Sequence, residues 1–154
     1  MSFVQRLKDL LAPTPVPAAE PGASGVVYAP EADGQPDPGE VVWGWVAYED
    51  NPSQGKDRPV LLLGRGSGDT AGRWLGLMLT SKDHDRDMAD EAHWGRYWMD
   101  VGSGGWDREG RPSEVRLDRL LVLEESAIRR EGAALDQGIF DQVVAGAREH
   151  HALP

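Results

Sequence analysis

The sequence predicts an α+β fold: a small β-barrel with a C-terminal helix, preceded by a proline-rich N-terminal arm. Through the middle of the chain, short apolar segments alternate with polar loops rich in turn residues, which is the pattern of several short strands. One helical stripe follows them near the C-terminus. A length of 154 residues suffices for one domain that buries roughly 70% of its unfolded surface. It leaves little room for a second domain.

The N-terminal part divides into a short amphipathic segment and an extended arm. Residues 1–11 place Phe3, Leu7 and Leu10 on one helical stripe. Residues 12–39 hold seven of the eleven prolines, which excludes a regular helix or a central strand there. The end of the arm, from Tyr28 onward, carries an aromatic ring and several turn residues, so we expect it to lie along the domain. The predicted division is an arm over residues 1–38 and a folded domain over 39–154.

Three apolar strands joined by polar connections form the predicted first half of the barrel. Residues 40–48 (EVVWGWVAY) are apolar on both faces, which suits a strand buried in a small barrel. A polar loop, 49–57, precedes the second strand at 58–65, where Pro59 fits near the strand start. A turn at 66–72 leads to the third strand at 73–81.

The second half contains shorter strands and the closing helix. A charged segment with one helical turn is expected at 82–91, and a glycine-rich loop at 103–112. Further strands are expected at 94–101, 115–117 and 120–123. Near the C-terminus a helix follows, with Asp136 as its N-cap and one apolar stripe of Ile139, Phe140, Val143, Val144 and Ala147.

Composition excludes several classes of protein. Cysteine is absent, which excludes disulfide scaffolds, thiolate zinc sites and cysteine nucleophiles. The longest apolar run covers a few residues, far too few for a membrane span, and the first residues do not form a secretory signal. We therefore expect a soluble cytoplasmic protein without a membrane segment. The net charge of −10 is unfavourable for nonspecific binding of nucleic acid, although it does not exclude a local basic groove.

Several segments, in their order along the chain, resemble the PemK/MazF-like toxins of type II toxin–antitoxin systems. The segments are Gly39-Glu-Val-Val-Trp43, Gly55-Lys-Asp-Arg-Pro-Val-Leu-Leu62, Leu79-Thr80-Ser81, Ser113-Glu-Val-Arg-Leu-Asp-Arg-Leu120 and the closing helix at 135–148. The resemblance covers roughly residues 39–150. It implies an SH3-like barrel that forms a homodimer, binds a cognate antitoxin protein and cleaves single-stranded RNA without a metal or other cofactor.

Two residues match the catalytic positions of that family. Arg58 begins a predicted strand beside a loop, and a planar guanidinium suits a phosphate that gains negative charge. Thr80 ends the third strand, where a hydroxyl can hold a phosphate oxygen. Judged from the residues alone, Arg58 could equally pair with Asp57 or Glu40, and Thr80 could form a simple turn. The resemblance implies attack by the RNA 2′-hydroxyl, which leaves a 2′,3′-cyclic phosphate.

Further residues are candidates for binding RNA around these two. This set combines loop residues, a hydroxyl next to Thr80, a group able to transfer a proton, and aromatic or basic side chains that could contact bases and phosphates. Its members are Gln54, Lys56, Ser81, His84, Trp106, Arg108 and Arg116. Gln54 and Lys56 could equally be ordinary loop residues, and Trp106 could pin its loop to the core. Arg116 alternates with Leu117, so we expect it to face solvent. The acidic and histidine residues around His84 match no metal-ligand spacing, and no metal site is expected.

Two other functions remain open. A chain that kept the barrel and lost cleavage would be a non-catalytic SH3-like binding module, which agrees with the acidic charge. A toxin of the same fold could instead act on a protein such as a topoisomerase. RNA cleavage in a buffer with a chelator distinguishes the enzyme from both.

Overall fold

The computed structural model describes residues 25–81 and 88–154, with the backbone alone at 88–90 and 130–131. The predicted helix over 1–11, the first part of the arm and His84 lie outside the described residues. Within the described ranges none of the helices is long and apolar enough to cross a membrane.

The described chain forms eight strands and two α-helices. In chain order they are β1 (Gly25–Val26), β2 (Glu40–Ala47), β3 (Gly55–Arg65), β4 (Trp74–Thr80), α1 (Met88–His93), β5 (Trp98–Gly102), β6 (Ser113–Arg116), β7 (Leu121–Leu123), β8 (Ile128–Ala134) and α2 (Gln137–Arg148). The predicted strands and the closing helix are therefore present. β3 begins three residues earlier than expected, so Lys56 lies in a strand and not in the preceding loop.

The strands pair antiparallel into one sheet. Its order is β5-β6-β4-β3-β2-β8, with β1 added to β3 and β7 added to β4. Between the described strands no pairing joins the two ends of this order, β5 and β8, so the sheet is open. The mostly antiparallel sheet with a C-terminal helix is as predicted, whereas closure into a barrel is not confirmed.

β3 is covered on both faces because its apolar residues alternate between two clusters. Leu61 and Leu63 belong to the helix-facing cluster, which α2 covers, and Val60 and Leu62 belong to the opposite cluster. All four side chains are fully buried. The helix-facing cluster consists of Val41, Leu61, Leu63, Leu77, Leu79, Val101, Trp106, Val115, Leu135, Phe140, Val143 and Ala147. The opposite cluster consists of Val42, Val46, Val60, Leu62, Trp74, Met78, Trp98, Leu121 and Leu123.

The closing helix α2 follows the sequence prediction closely. The Asp136 carboxylate accepts a hydrogen bond from the Ile139 N–H, which satisfies one of the free amides at the helix start. Phe140, Val143 and Ala147 are buried against the sheet, as expected for one apolar stripe.

The end of the arm lies along the domain, as expected from Tyr28 and its turn residues. β1 pairs with the end of β3, and the Val26 N–H donates to the Pro154 carbonyl. The Tyr28 hydroxyl donates to the Leu135 carbonyl at 2.6 Å, and its ring packs on Phe140. Residues from Gly25 onward are therefore part of the packed unit.

β8 has no counterpart in the prediction. Its sequence, IRREGAA, lacks the alternation of large apolar side chains that indicates a half-buried strand. It pairs with β2 through two register shifts. Gly132 is required there, since a Cβ at this position would lie 1.6 Å from the Val41 carbonyl oxygen.

Candidate functional site

A cavity of about 270 Å³ lies where β3 begins, β4 ends and the β5–β6 loop approaches them. Its lining consists of Trp43, Lys56, Asp57, Arg58, Pro59, Leu79, Thr80, Ser81, Trp106, Asp107, Arg111 and Ser113. Four separate segments of the sequence thus supply cationic, hydroxyl and aromatic groups to one small volume.

The end of the β3–β4 ladder brings Arg58 and Thr80 to the same place. Val60 and Met78 are the last pair of this antiparallel ladder on the side of the cavity. Arg58 precedes Val60 by two positions and Thr80 follows Met78 by two, so both residues lie just beyond the last pair. Both residues line the cavity, in agreement with this arrangement.

Arg58 is a half-buried cation. Among the described residues it has no hydrogen-bonded or ion-paired carboxylate, and so neither Asp57 nor Glu40 neutralises it. Burial holds the pKa of Arg58 below its ordinary value; the Tyr48 phenol raises this pKa and the positive charge of Arg119 lowers it further. A half-buried cation without a carboxylate partner among the described residues suits the binding of a phosphate.

The β5–β6 loop is fixed to the sheet by two tryptophans. The Trp43 indole N–H donates to the Trp106 carbonyl at 2.8 Å, and the Trp106 indole N–H donates to the Ser113 hydroxyl at 3.1 Å. Trp106 is buried in the helix-facing cluster. The prediction that Trp106 stacks on RNA bases from an exposed loop is therefore wrong, because its ring anchors the loop and only lines the cavity wall.

An ion pair in the same loop borders the cavity. The Arg111 Nε donates to an Asp107 carboxylate oxygen at 2.8 Å. The other oxygen of Asp107 accepts from the Glu109 N–H at 3.0 Å. The hydrogen bond from Arg111 keeps the pKa of Asp107 below its usual value. Asp107 therefore stays ionised and holds the guanidinium in one orientation.

A second cavity of about 500 Å³ adjoins the first. The two share Trp43, Trp106, Asp107 and Arg111, and the second adds Gly105, Arg108, Glu109 and Gly132. Trp43, in the strand that the sequence predicts to be buried, is half-buried and lines both cavities. Its position in the middle of an apolar strand gave no sign of this, because the cavity forms only when the distant β5–β6 loop folds over it.

Of the predicted site residues, the first cavity collects Arg58, Thr80, Lys56 and Ser81, as well as the wall residue Trp106. Arg108 lines the second cavity. Gln54 lines neither cavity: it is exposed and closes the compact β2–β3 loop, where its carbonyl accepts from the Tyr48 N–H at 2.8 Å.

Arg116 is buried, and the prediction that it faces solvent is wrong. Its side chain is 7% exposed and binds both oxygens of Glu49 at 3.1 Å and the carboxylate of Asp118 at 2.8 Å. Burial alone would lower the pKa of Arg116, but the hydrogen bonds to Asp118 and Glu49 outweigh it and raise the pKa. The alternation with Leu117 does not reveal this burial, because Glu49, the partner of Arg116, is 67 positions away in the sequence.

A cluster of three acidic residues lies at the end of the arm and lines neither cavity. Glu31, Asp33 and Asp37 place carboxylate oxygens within 4.8 Å of one another. Burial, and next the negative charge of Asp33, raise the pKa of Asp37 to about 6. A cluster of mostly exposed acidic residues is by itself no metal site, and neither cavity contains these residues.

Comparisons with known proteins agree with the fold and with the sequence pattern. A family model described as "PemK-like, MazF-like toxin of type II toxin-antitoxin system" matches residues 37–150. The fold is similar to a crystal structure of MazE-MazF (Form-II) from Deinococcus radiodurans, with a TM-score of 0.50 and 19% sequence identity. The alignment covers 76% of this chain and 96% of the chain in that structure. No curated protein matches the chain.

Proposed function

The chain belongs to the PemK-like, MazF-like toxin family of type II toxin–antitoxin systems, and we propose that it is an endoribonuclease toxin that cleaves single-stranded RNA. The family is one of ribonuclease toxins in general. The single observation that carries the proposal is the shared cavity of Arg58 and Thr80, the two residues that match the family's catalytic positions.

The proposed reaction is a transesterification within the RNA strand, in which the phosphate exchanges its bond to the 5′-oxygen of the next nucleotide for a bond to the neighbouring 2′-oxygen. The 2′-oxygen attacks the phosphorus, the bond to the 5′-oxygen breaks, and the products are a 2′,3′-cyclic phosphate and a 5′-hydroxyl. RNA itself supplies the nucleophile, so the mechanism requires no metal. The protein has to stabilise negative charge on the phosphate and to move two protons.

Arg58 and Thr80 both act on the phosphate at the cleaved bond, in different ways. The Arg58 guanidinium, which has no carboxylate partner among the described residues, stabilises the charge on the phosphate oxygens. We assign to the same guanidinium the donation of a proton to the leaving 5′-oxygen. The Thr80 hydroxyl holds a phosphate oxygen in line with the guanidinium.

A carboxylate in the cavity is the candidate for accepting the 2′-hydroxyl proton. Asp107 is the poorer choice, because Arg111 lowers its pKa and shields it. Asp57 is 49% exposed, and its ion pair with Arg129 is longer, at 3.6 Å. We therefore assign the role of general base to Asp57.

The proposal includes the partners that the family pattern predicts. The toxin acts as a homodimer in the cytoplasm, and a cognate antitoxin protein inhibits it. The similar structure is itself a complex of MazE with MazF. Because the net charge of −10 opposes RNA binding, a groove shared by the two subunits would strengthen it, since the dimer brings two cationic sites to one RNA strand.

The test is cleavage of a long single-stranded RNA by wild type, Arg58→Ala and Arg73→Ala in a buffer with a chelator. Arg73 is the matched control, because it is a partly exposed arginine in a surface ion pair with Glu124. We expect Arg58→Ala to lose at least about 100-fold in rate and Arg73→Ala to keep it. Mass spectrometry should find cyclic phosphate ends. Cleavage by Arg58→Ala within a few-fold of wild type would remove Arg58 from the mechanism.

No cleavage by wild type would favour one of the two rivals. Binding of RNA without cleavage indicates a non-catalytic module of the same fold. Binding of neither RNA nor its fragments indicates a toxin that acts on a protein. A melting temperature measured for each variant separates loss of chemistry from loss of folding.

A further inference from the structure

The second cavity lies directly beside the proposed cleavage site. It shares Trp43, Trp106, Asp107 and Arg111 with the cavity that holds Arg58. A cavity of roughly 150 Å³ is enough to hold benzene, so about 500 Å³ has room for a purine base with water around it. An RNA strand whose phosphate lies at Arg58 therefore has space for one neighbouring base here.

Arg111 faces this space in a fixed orientation. Its Nε and Nη2 are directed at Asp107, whose side chain is only 8% exposed, while Arg111 itself is 53% exposed. Nη2 also lies 3.3 Å from the exposed carboxylate of Glu109. Among the described residues its other terminal nitrogen, Nη1, has no hydrogen-bond partner. A guanidinium held on one edge by a carboxylate keeps little freedom, so its remaining donors are already ordered for a ligand.

The charges around the second cavity favour a neutral base over a phosphate. Arg108 and Arg111 are balanced by Asp107 and Glu109, so these four side chains sum to zero. A phosphate near Arg111 would also approach both carboxylates, which repel it. A base, in contrast, can accept from the arginine and donate to a carboxylate at the same time.

Guanine is the base whose edge fits this pair of groups. It presents O6 and N7 as adjacent acceptors, the pair that arginine most often reads in specific contacts. Its N1–H and N2 amino donors come next along the same base and can reach Glu109. Adenine presents an amino group where guanine has O6, so donors would face donors.

We propose that the second cavity is a guanine-binding subsite next to the cleaved bond, with Arg111 as the residue that determines base specificity. This rests on the proposed function, because the position of the RNA strand is taken from the Arg58 site. Asp107 acts through Arg111, as the group that orients it. Trp43 forms the wall that continues from one cavity into the other.

The experiment measures binding of the four nucleoside 3′-monophosphates by calorimetry to wild type, Arg111→Gln, Arg111→Lys and the control Arg73→Gln, whose arginine lines neither cavity. We expect wild type to bind guanosine monophosphate about 5- to 100-fold more tightly than the other three, the discrimination typical of one bidentate contact. Arg111→Gln should bind all four alike. Arg73→Gln should keep the preference for guanosine. If Arg111→Gln does not fold, Arg111→Lys, which keeps the charge but loses the fork, should reduce the preference by itself.

Equal binding of the four nucleotides to wild type, a preference for another base, or a guanosine preference that survives in Arg111→Gln would each overturn the subsite. Arg58→Ala should weaken the binding of all four nucleotides by the same factor and leave the ratio of their affinities unchanged, since Arg58 binds the phosphate. RNA cleavage by wild type without any guanine preference would refute the subsite alone. Guanosine selectivity in a protein that cleaves no RNA would refute the proposed function alone.

Discussion

Asp37 makes the stability of this protein depend on pH in the direction opposite to the usual carboxylate. Its pKa is raised from 3.8 to about 6, first by burial and then by the charge of Asp33. The folded state therefore keeps a proton that the unfolded chain releases between these two pH values. The contribution of Asp37 to stability is complete below pH 4 and is lost as the pH rises to about 6.

Replacing Asp37 by asparagine removes this loss. The difference between 3.8 and about 6 corresponds to at most about 3 kcal/mol. Asp37 is half-buried, and solvent screening reduces the expected gain to about 1 kcal/mol. The amide keeps an oxygen that can accept from the Glu31 N–H, as the carboxylate does at 3.2 Å. Asp37→Asn should therefore be more stable than wild type above pH 6.5 and equal to it near pH 4.

Urea unfolding at pH 4 and pH 7.5 measures this difference, because other titrating groups are common to both proteins and cancel. Asp50→Asn, at an exposed loop position, serves as the control. A stability gain in Asp37→Asn that is the same at both pH values would refute the raised pKa as its cause. A loss of stability at pH 7.5 would show that the Asp37 carboxylate is held by an attraction and not by repulsion.

The remaining predictions concern the packed end of the arm. Deleting residues 1–27 should lower the melting temperature by about 5–10 °C relative to deleting residues 1–24. The backbone hydrogen bonds of Val26 and Val27 are worth about 1 kcal/mol each, and the packing of Val26 against the helix-facing cluster is lost as well. Equal melting temperatures of the two deletions would refute this. Tyr28→Phe should lose about 1 kcal/mol in chemical unfolding, since only the hydroxyl bond to the Leu135 carbonyl is removed. Gly64→Ala should lower the melting temperature as much as deletion of β1, because φ is +154° and a Cβ would lie 2.0 Å from the Gly25 carbonyl oxygen; wild-type stability would contradict it.

The strands and the closing helix could be predicted because their sequences carry the periodicity of what they bury. Residues 60–63 form an unbroken apolar run because both faces of β3 are covered. β8 could not be predicted in this way, since its pairing with β2 depends on the backbone and on a glycine at 132 more than on apolar side chains.

The candidate site could be predicted only in part, and mainly through the family resemblance. Periodicity alone left Arg58 and Thr80 with ordinary alternatives, and only the folding of β3 beside β4 brings both residues to one cavity. Trp106 and Arg116 were misjudged because their exposure is decided by partners in other segments. Ser113 and Glu49 cannot be recognised as those partners before the chain is folded.

The double covering of β3 has a consequence for how the site exchanges with solvent. The amide hydrogens in the middle of this strand, at Val60–Leu63, should be among the last to be replaced by deuterium, since they open only when both clusters separate. Arg58 lies on the same strand, just outside the protected stretch. A ligand can thus enter and leave at the Arg58 end of the strand while its protected centre stays closed. The guanidinium is attached next to one of the slowest-opening parts of the fold and is itself only half-buried, at the wall of the cavity.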